Sequence, residues 1–201
     1  MFVSWQPPDA ASYAYLLGLY LGDGCVAPHG RTARLVITLD GRYPKIVREA
    51  QRAVAATCPE LRVSVLPVRG SGAVVVQSYA LRWLEVVPQW GAGRKHERPI
   101  TLAPWQRATV ETDPRPFLRG LIHSDGCRVV NRFRTRLPSG RVAAYAYPRY
   151  FFSNLSADIR GLFCEYCERI GVRWTQSNPR NISISHRRSV ARLDAFIGPK
   201  R

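Results

Sequence analysis

Two aspartates, Asp23 and Asp125, close two segments that echo each other: Leu16-Leu17-Gly18-Leu19-Tyr20-Leu21-Gly22-Asp23-Gly24-Cys25 and Leu118-Arg119-Gly120-Leu121-Ile122-His123-Ser124-Asp125-Gly126-Cys127. The offset is 102 residues in a chain of 201 (Leu16 to Leu118). Tyr13 to Gly22 is apolar nearly all round, the pattern of a helix buried on most sides. Gly18 and Gly22 are four apart and share one helix face, and Gly120 and Ser124 repeat the arrangement. Glycine inside a helix costs about 1 kcal/mol relative to alanine, a cost that close approach of another helix offsets. The natural partner of each motif helix is the other one. The glycine after each aspartate is a helix stop able to take the left-handed conformation, and the aspartate stands where the helix dipole disfavours it. Helices packed face to face would bring the two carboxylates together. At ~4 Å such a pair repels by on the order of 4 kcal/mol at an effective dielectric of 20. A hard divalent cation between them relieves this, and Mg²⁺ takes one or two carboxylates plus phosphate oxygens and waters. A pair of Asp-Gly helix stops would give the same letters without any chemistry.

The elements that must position these residues also repeat. After the first motif come a short strand, a turn at Pro28-His29-Gly30 and a strand Arg34 to Leu39. A helix Pro44 to Thr57, strands Leu61 to Val68 and Ala73 to Ser78, and a helix from Leu81 to about Gln89 follow. The second half reads as strands Arg128 to Arg136 and Arg141 to Ser153, a helix Ala157 to Ile170, strands near Val172 and Asn181, and a helix Ser189 to Phe196. Even the ends agree loosely, Gly91-Ala92-Gly93-Arg94-Lys95 with Gly198-Pro199-Lys200-Arg201. The expected fold is α+β: two tandem αββαββα half-domains related by a pseudo-two-fold axis, over residues 1–90 and 117–201. The Gly- and Pro-rich stretch 91–116 is read as the linker.

The two segments resemble the LAGLIDADG motif of homing endonucleases, and two motifs about a hundred residues apart resemble that family's single-chain, pseudo-dimeric members. The resemblance implies motif helices packed at the centre and antiparallel sheets forming a DNA-binding saddle. The metal-binding catalytic aspartate of that motif maps onto Asp23 and Asp125; the earlier acidic position is Leu21 in one copy and His123 in the other. It also implies cleavage of both DNA strands with Mg²⁺ (or Mn²⁺). Lys95 is a candidate to offset transition-state charge.

The charge points to the same partner. The net charge is +16, from 30 basic and 14 acidic residues, and only Lys45, Lys95 and Lys200 are lysine. Arginine's planar fork suits phosphates and guanine edges, and charges spread along the chain imply a polyanion meeting the folded body. The strand Arg128 to Arg136 places Arg128, Arg132, Arg134 and Arg136 on one face. With Leu137-Pro138-Ser139-Gly140 as a symmetric turn, Arg141, Tyr145 and Arg149 would lie across from Arg136, Arg132 and Arg128. Like charges across a ladder destabilise a sheet unless that face meets a polyanion, and a two-stranded ribbon fits the major groove. Arg34, Arg62 and Arg173 fall on polar faces of their expected strands.

Other chemistries are excluded. Cys164 and Cys167 lack a second pair or a His-x-x-x-His to complete a zinc site. The four histidines show no ligand spacing, and no phosphate loop is present. The apolar run Tyr13 to Leu21 is shorter than the ~20 residues of a membrane span. With a polar, proline-containing beginning and no secretory leader, a monomer acting on double-stranded DNA in a bacterial or phage-infected cytoplasm, at the nucleoid when bound, is expected. Two further readings stay open: a non-cleaving regulator, since the fold is also similar to that of WhiA-type proteins, and an intron maturase acting on RNA.

Overall fold

The computed structural model describes residues 5–198 and Lys200; Pro199 and Arg201, part of the expected end repeat, lie outside the described residues. The first half runs α1 (Ala10–Asp23), β1 (Gly24–His29), β2 (Thr32–Asp40), α2 (Pro44–Thr57), β3 (Val63–Pro67), β4 (Ala73–Tyr79) and α3 (Trp83–Val86). The second repeats the order as α5 (Pro114–Asp125), β5 (Gly126–Arg136), β6 (Val142–Ser153), α6 (Ala157–Arg169), β7 (Thr175–Asn178), β8 (Asn181–Ile184) and α7 (Arg187–Asp194). Each half forms a four-stranded antiparallel sheet with the same strand order, β1-β2-β4-β3 and β5-β6-β8-β7. This is the αββαββα repeat expected from the sequence, with α3 shorter than its pattern suggested.

Local chemistry explains where the motif helices begin. Asp9 caps α1 by accepting from the Ala11 and Ser12 backbone N–H groups, and Asp113 caps α5 by accepting from Arg115 N–H, ahead of Pro114. Their ends differ from the expectation. Gly24 and Gly126 take extended, not left-handed, backbones (φ −92° and −113°). Glycine is needed there for room: a Cβ on Gly24 would collide with the Tyr20 backbone, and one on Gly126 would lie 2.8 Å from Ile122 Cα. Each strand leaves its helix directly, so no turn separates the aspartate from the sheet.

The helices α1 and α5 meet backbone to backbone. A Cβ on Gly18 would lie 3.0 Å from Gly120 Cα and 2.9 Å from the Leu121 nitrogen, and one on Gly120 would meet Gly18 Cα and the Leu19 nitrogen at the same distances. One turn on, Gly22 faces the Ser124 side chain. Around this contact α1 is buried from Tyr13 to Leu21, so a single core runs through both halves. Full burial of each leucine contributes about 2 kcal/mol.

Residues 91–116, between the two halves, are partly structured. They include a 3₁₀ turn (Lys95–Glu97) and α4 (Pro104–Thr112). Gln106 of α4 is fully buried and donates to Tyr13 Oη (2.7 Å) and to Gln89 Oε1 (3.1 Å), while Gln89 donates to the Thr101 carbonyl (2.7 Å). Buried amides paired in this way fix α4 against α1.

In each sheet one face packs inward and the other does not. Ala33, Leu35, Ile37 and Leu39 of β2, with Val76 of β4, point into the core, as do Tyr150, Phe152, Ile182 and Ile184 in the second sheet. The alternate residues form the outer faces.

Candidate active site between the motif helices

Asp23 and Asp125 end α1 and α5 on either side of the Gly22–Ser124 contact, and a Cβ on Gly22 would lie 3.0 Å from Asp125 Oδ2. The helix packing thus brings both acids to the same end of the pair, near enough for the charge of Asp125 to act on Asp23. Both acids are raised from their ordinary range, Asp23 to about 6, because burial disfavours the charged form. The neighbouring Asp125 charge adds to the rise of Asp23.

Two lysines offset this repulsion. Lys95, in the 3₁₀ turn, donates to the carbonyls of Tyr20, Gly22 (2.8 Å) and Gly24 (2.9 Å), capping α1 at its negative end. Burial lowers its pKa to about 8 against the pull of Asp125 and Asp23. Lys200 reaches the Ser124 carbonyl at 3.4 Å, and burial lowers its pKa against the pull of Asp23 and Asp125. A bound metal ion is therefore not the only relief for the pair: two ammonium groups already share the task.

The acids open into two clefts of corresponding composition. One, of about 280 Å³, is lined by Asp125, Gly22, Lys95 and Asn154. The other, of about 270 Å³, is lined by Asp23, Ser124, Lys200 and Leu39. Each joins the carboxylate of one half to the motif backbone of the other. One of the differences between them bears directly on the acids. Gly24 pairs with Ile37 and Gly126 with Phe152, so Asn154 corresponds to Leu39, two residues further on. Asn154 Nδ2 donates to Asp125 at 2.5 Å, whereas the leucine has no polar group to offer Asp23. Asn154 was missed in the sequence because nothing marks an asparagine just past a strand as a neighbour of the motif. Lys200 was legible only as the loose end repeat.

His123, where the motif's earlier acid would stand, is buried and held neutral, its pKa lowered to about 3 mainly by burial; its Nδ1 and the Tyr15 hydroxyl share a hydrogen bond at 2.8 Å. It is a core residue. Among the described residues no group of three or more His, Cys, Asp or Glu gathers. The oxygen set of two carboxylates, open to solvent through two clefts, fits a hard cation that completes its shell with phosphate and water.

The arginines expected on the nucleic-acid surface divide. Arg34 lies on the outer face of β2 and donates to Gln77 Oε1 (2.9 Å from Nε); Arg149 occupies the corresponding place on β6 and donates to Ser183. Arg62 and Arg173 are exposed but just precede β3 and β7 instead of lying in them. The second-half ribbon is one residue out of the expected register. Arg136, Arg132 and Arg128 pair with Val142, Ala146 and Tyr150, while Tyr145 pairs with Phe133 and Arg149 with Val129. The cause is the turn: Leu137 N–H donates to the Arg141 carbonyl (2.8 Å) around a three-residue loop ending in Gly140, whose φ is +80°. A shift of one residue exchanges faces, so Tyr145 and Arg149 lie opposite the arginine face, and Arg141 sits at the turn. Arg128 is on the inward side, paired with Asp194 at 2.7 Å beside the Tyr150 hydroxyl, which also donates to Asp194. Arg132, Arg134 and Arg136 are exposed further along.

No family model and no curated protein sequence matches the chain. Solved structures do. The LAGLIDADG meganuclease I-AabMI, bound to uncleaved DNA, is 10% identical with a TM-score of 0.55, covering 92% of this chain and 82% of that one. I-DmoI in complex with DNA and Mn is 14% identical with a TM-score of 0.56, covering 96% and 98%. Full-length DUF199/WhiA from Thermatoga maritima is 13% identical with a TM-score of 0.58, covering 96% of this chain but 56% of that one. With both sheets, the central helix pair and the strand order in place, the chain has the two-motif LAGLIDADG fold.

Proposed function

We propose that this chain is a site-specific endonuclease of double-stranded DNA that acts as a monomer with Mg²⁺ or Mn²⁺. The observation that carries the reading is the pair of clefts, each with one carboxylate and one lysine, at the C-terminal ends of the two packed motif helices. Asp23 and Asp125 would hold the metal, which supplies Lewis-acid charge at a phosphate and favours a hydroxide nucleophile. Lys95 and Lys200 place fixed positive charge where a phosphate would enter. Asn154 holds the orientation of Asp125. The outer faces, with Arg34 and Arg149, and the ribbon arginines would bind the duplex on either side, with Arg62, Arg141 and Arg173 in reach of phosphates. A net charge of +16 supports a strong, salt-dependent contribution from the DNA backbone. Of the described residues, no helix is long and apolar enough to cross a membrane, and the reading places the chain at bacterial or phage DNA.

A non-cleaving regulator is the second reading. It is favoured by the likeness to WhiA and by the two lysines, which provide countercharge without a metal. One experiment separates the two: selection for cleavage in a random duplex library with Mg²⁺, beside Asp23→Asn and Asp125→Asn. Cutting that is lost in both variants while binding persists supports the nuclease. Tight specific binding with no cutting under any divalent ion transfers the chain to the regulator, and preference for a folded intron RNA transfers it to a maturase.

A further inference from the structure

The second-half ribbon outgrows its sheet. β5 and β6 pair continuously from Gly126–Phe152 to Arg136–Val142, whereas β8 pairs only with Tyr150 to Ser153. Residues 129–149 therefore project as a two-stranded arm, and β1–β2 forms no equivalent, pairing only from Gly24 to His29.

The two faces of the arm have different chemistry. One carries Arg132, Arg134 and Arg136 opposite Ala146, Ala144 and Val142. The other continues the outer face of the sheet: Arg149 and Asn131 sit at its root, beside Val129 and Tyr147, and Phe133, Thr135 and Tyr145 lie further out. Phe133 and Tyr145 are 43% and 44% exposed, and their rings stack at 5.2 Å with 22° between planes. Cross-strand stacking stabilises a ribbon, yet each ring still leaves nearly half its surface in water. A two-stranded ribbon fits the major groove, whose walls are phosphate and whose apolar group is the C5-methyl of thymine. The arginines on one side and the stacked Phe133–Tyr145 pair on the other match those two features.

Resting on the DNA-binding reading above, we propose that the outer face of this arm is a binding site for pyrimidine C5-methyl groups in the major groove. Phe133, Tyr145 and Val129 form the receiving surface, and Arg132, Arg134 and Arg136 reach the phosphates. The half-site under the arm is then read by methyl contact, and the half under the short β1–β2 hairpin is not.

The test begins with selection of bound sites from a random 30-bp duplex library. The enriched duplex is remade with deoxyuridine for thymidine in either half, and separately with 5-methylcytosine for cytosine. Loss of each contacted methyl is expected to weaken binding about fourfold. The loss appears in one half only, and Phe133→Ala/Tyr145→Ala is indifferent to the replacement. 5-Methylcytosine that improves binding in that half identifies the methyl itself, not thymine, as the ligand; no response to it assigns the site to thymine alone. Equal affinity of the wild-type chain for thymidine and deoxyuridine duplexes overturns this inference while leaving DNA binding intact. Tighter binding of single-stranded RNA than of any duplex would reassign the rings to base stacking and overturn it too. Failure to enrich any duplex removes the DNA-binding reading, and the inference with it.

Discussion

Replacing Gly18 by alanine is expected to destabilise the chain, although the same change elsewhere in a helix does the reverse. Alanine gains about 1 kcal/mol over glycine in a helix interior. At Gly18 the new methyl would lie 3.0 Å from Gly120 Cα and 2.9 Å from the Leu121 nitrogen, with the Phe117 carbonyl nearer still. Carbon atoms rest about 3.5–4.0 Å apart, so α1 and α5 must separate by roughly 0.5–1 Å along a contact built from backbone. Forced overpacking of this kind costs about 1–3 kcal/mol, and a backbone neighbour, unable to rotate away, puts it at the upper end. The net loss is about 2 kcal/mol. Gly161 of α6 is the control, because it is exposed and a Cβ there meets nothing within 4 Å. Gly161→Ala should gain about 1 kcal/mol. For a chain near 200 residues, about 2–4 °C accompany each kcal/mol. Thermal melts should then show Gly18→Ala down by about 4–8 °C and Gly161→Ala up by about 2–4 °C. A Gly18→Ala protein that melts at or above the parent temperature would refute the close contact on which the site geometry stands. Because Gly120→Ala opens the same interface, the double variant should lose less than the sum of the singles.

Further predictions concern charge. Asp23 has a folded pKa near 6, above its ordinary 3.8, so its ionisation opposes folding as pH rises through that window. Without divalent ions, Asp23→Asn should stabilise the fold at pH 8 by about 1 kcal/mol after discounting for solvent at its exposed edge, seen as a higher melting temperature, and give no gain near pH 3. A gain that is constant across pH would refute the desolvation argument. Lys95→Met should cost about 1–3 kcal/mol and so lower the denaturation midpoint, since the Tyr20, Gly22 and Gly24 carbonyls lose their donor; an unchanged midpoint would show that water replaces the ammonium without loss. Arg128→Ala should cost about 1–3 kcal/mol of stability by stranding Asp194, with little change in the salt dependence of DNA binding. Arg132→Ala and Arg134→Ala should do the opposite, each reducing the slope of log affinity against log salt by roughly one, and equal effects of all three arginines would contradict their placement on the ribbon.

What the sequence made legible was whatever local pattern determines. The glycines at 18 and 22, with Gly120 and Ser124, are spaced by helix geometry, and so the packing of α1 on α5 could be read from four letters. The strand order followed from the repeat. The ribbon register did not, because Leu137 to Arg141 closes as a three-residue loop, not a four-residue one, and a difference of one residue reverses every side chain. Arg128 shares the face of Arg132 to Arg136 as expected, but at the root of the ribbon that face packs inward, so what looked like a surface cation pairs with Asp194. Asn154 and Lys200 reach the site from 29 and 75 residues beyond Asp125 (154 − 125 and 200 − 125), distances over which no periodicity operates. The stretch 91–116 has loop composition, yet Gln106 and its buried amide partners fix a helix within it.

The main-chain contact at Gly18 and Gly120 also sets a length scale. Side chains can be exchanged by mutation, but Cα, nitrogen and carbonyl oxygen cannot, so the gauge between the two acidic termini is written into atoms common to every residue. Drift on the outer surfaces of either half can alter what is recognised without retuning that gauge. A fused pair of unequal halves is thereby free to diverge in its periphery while its centre stays in alignment.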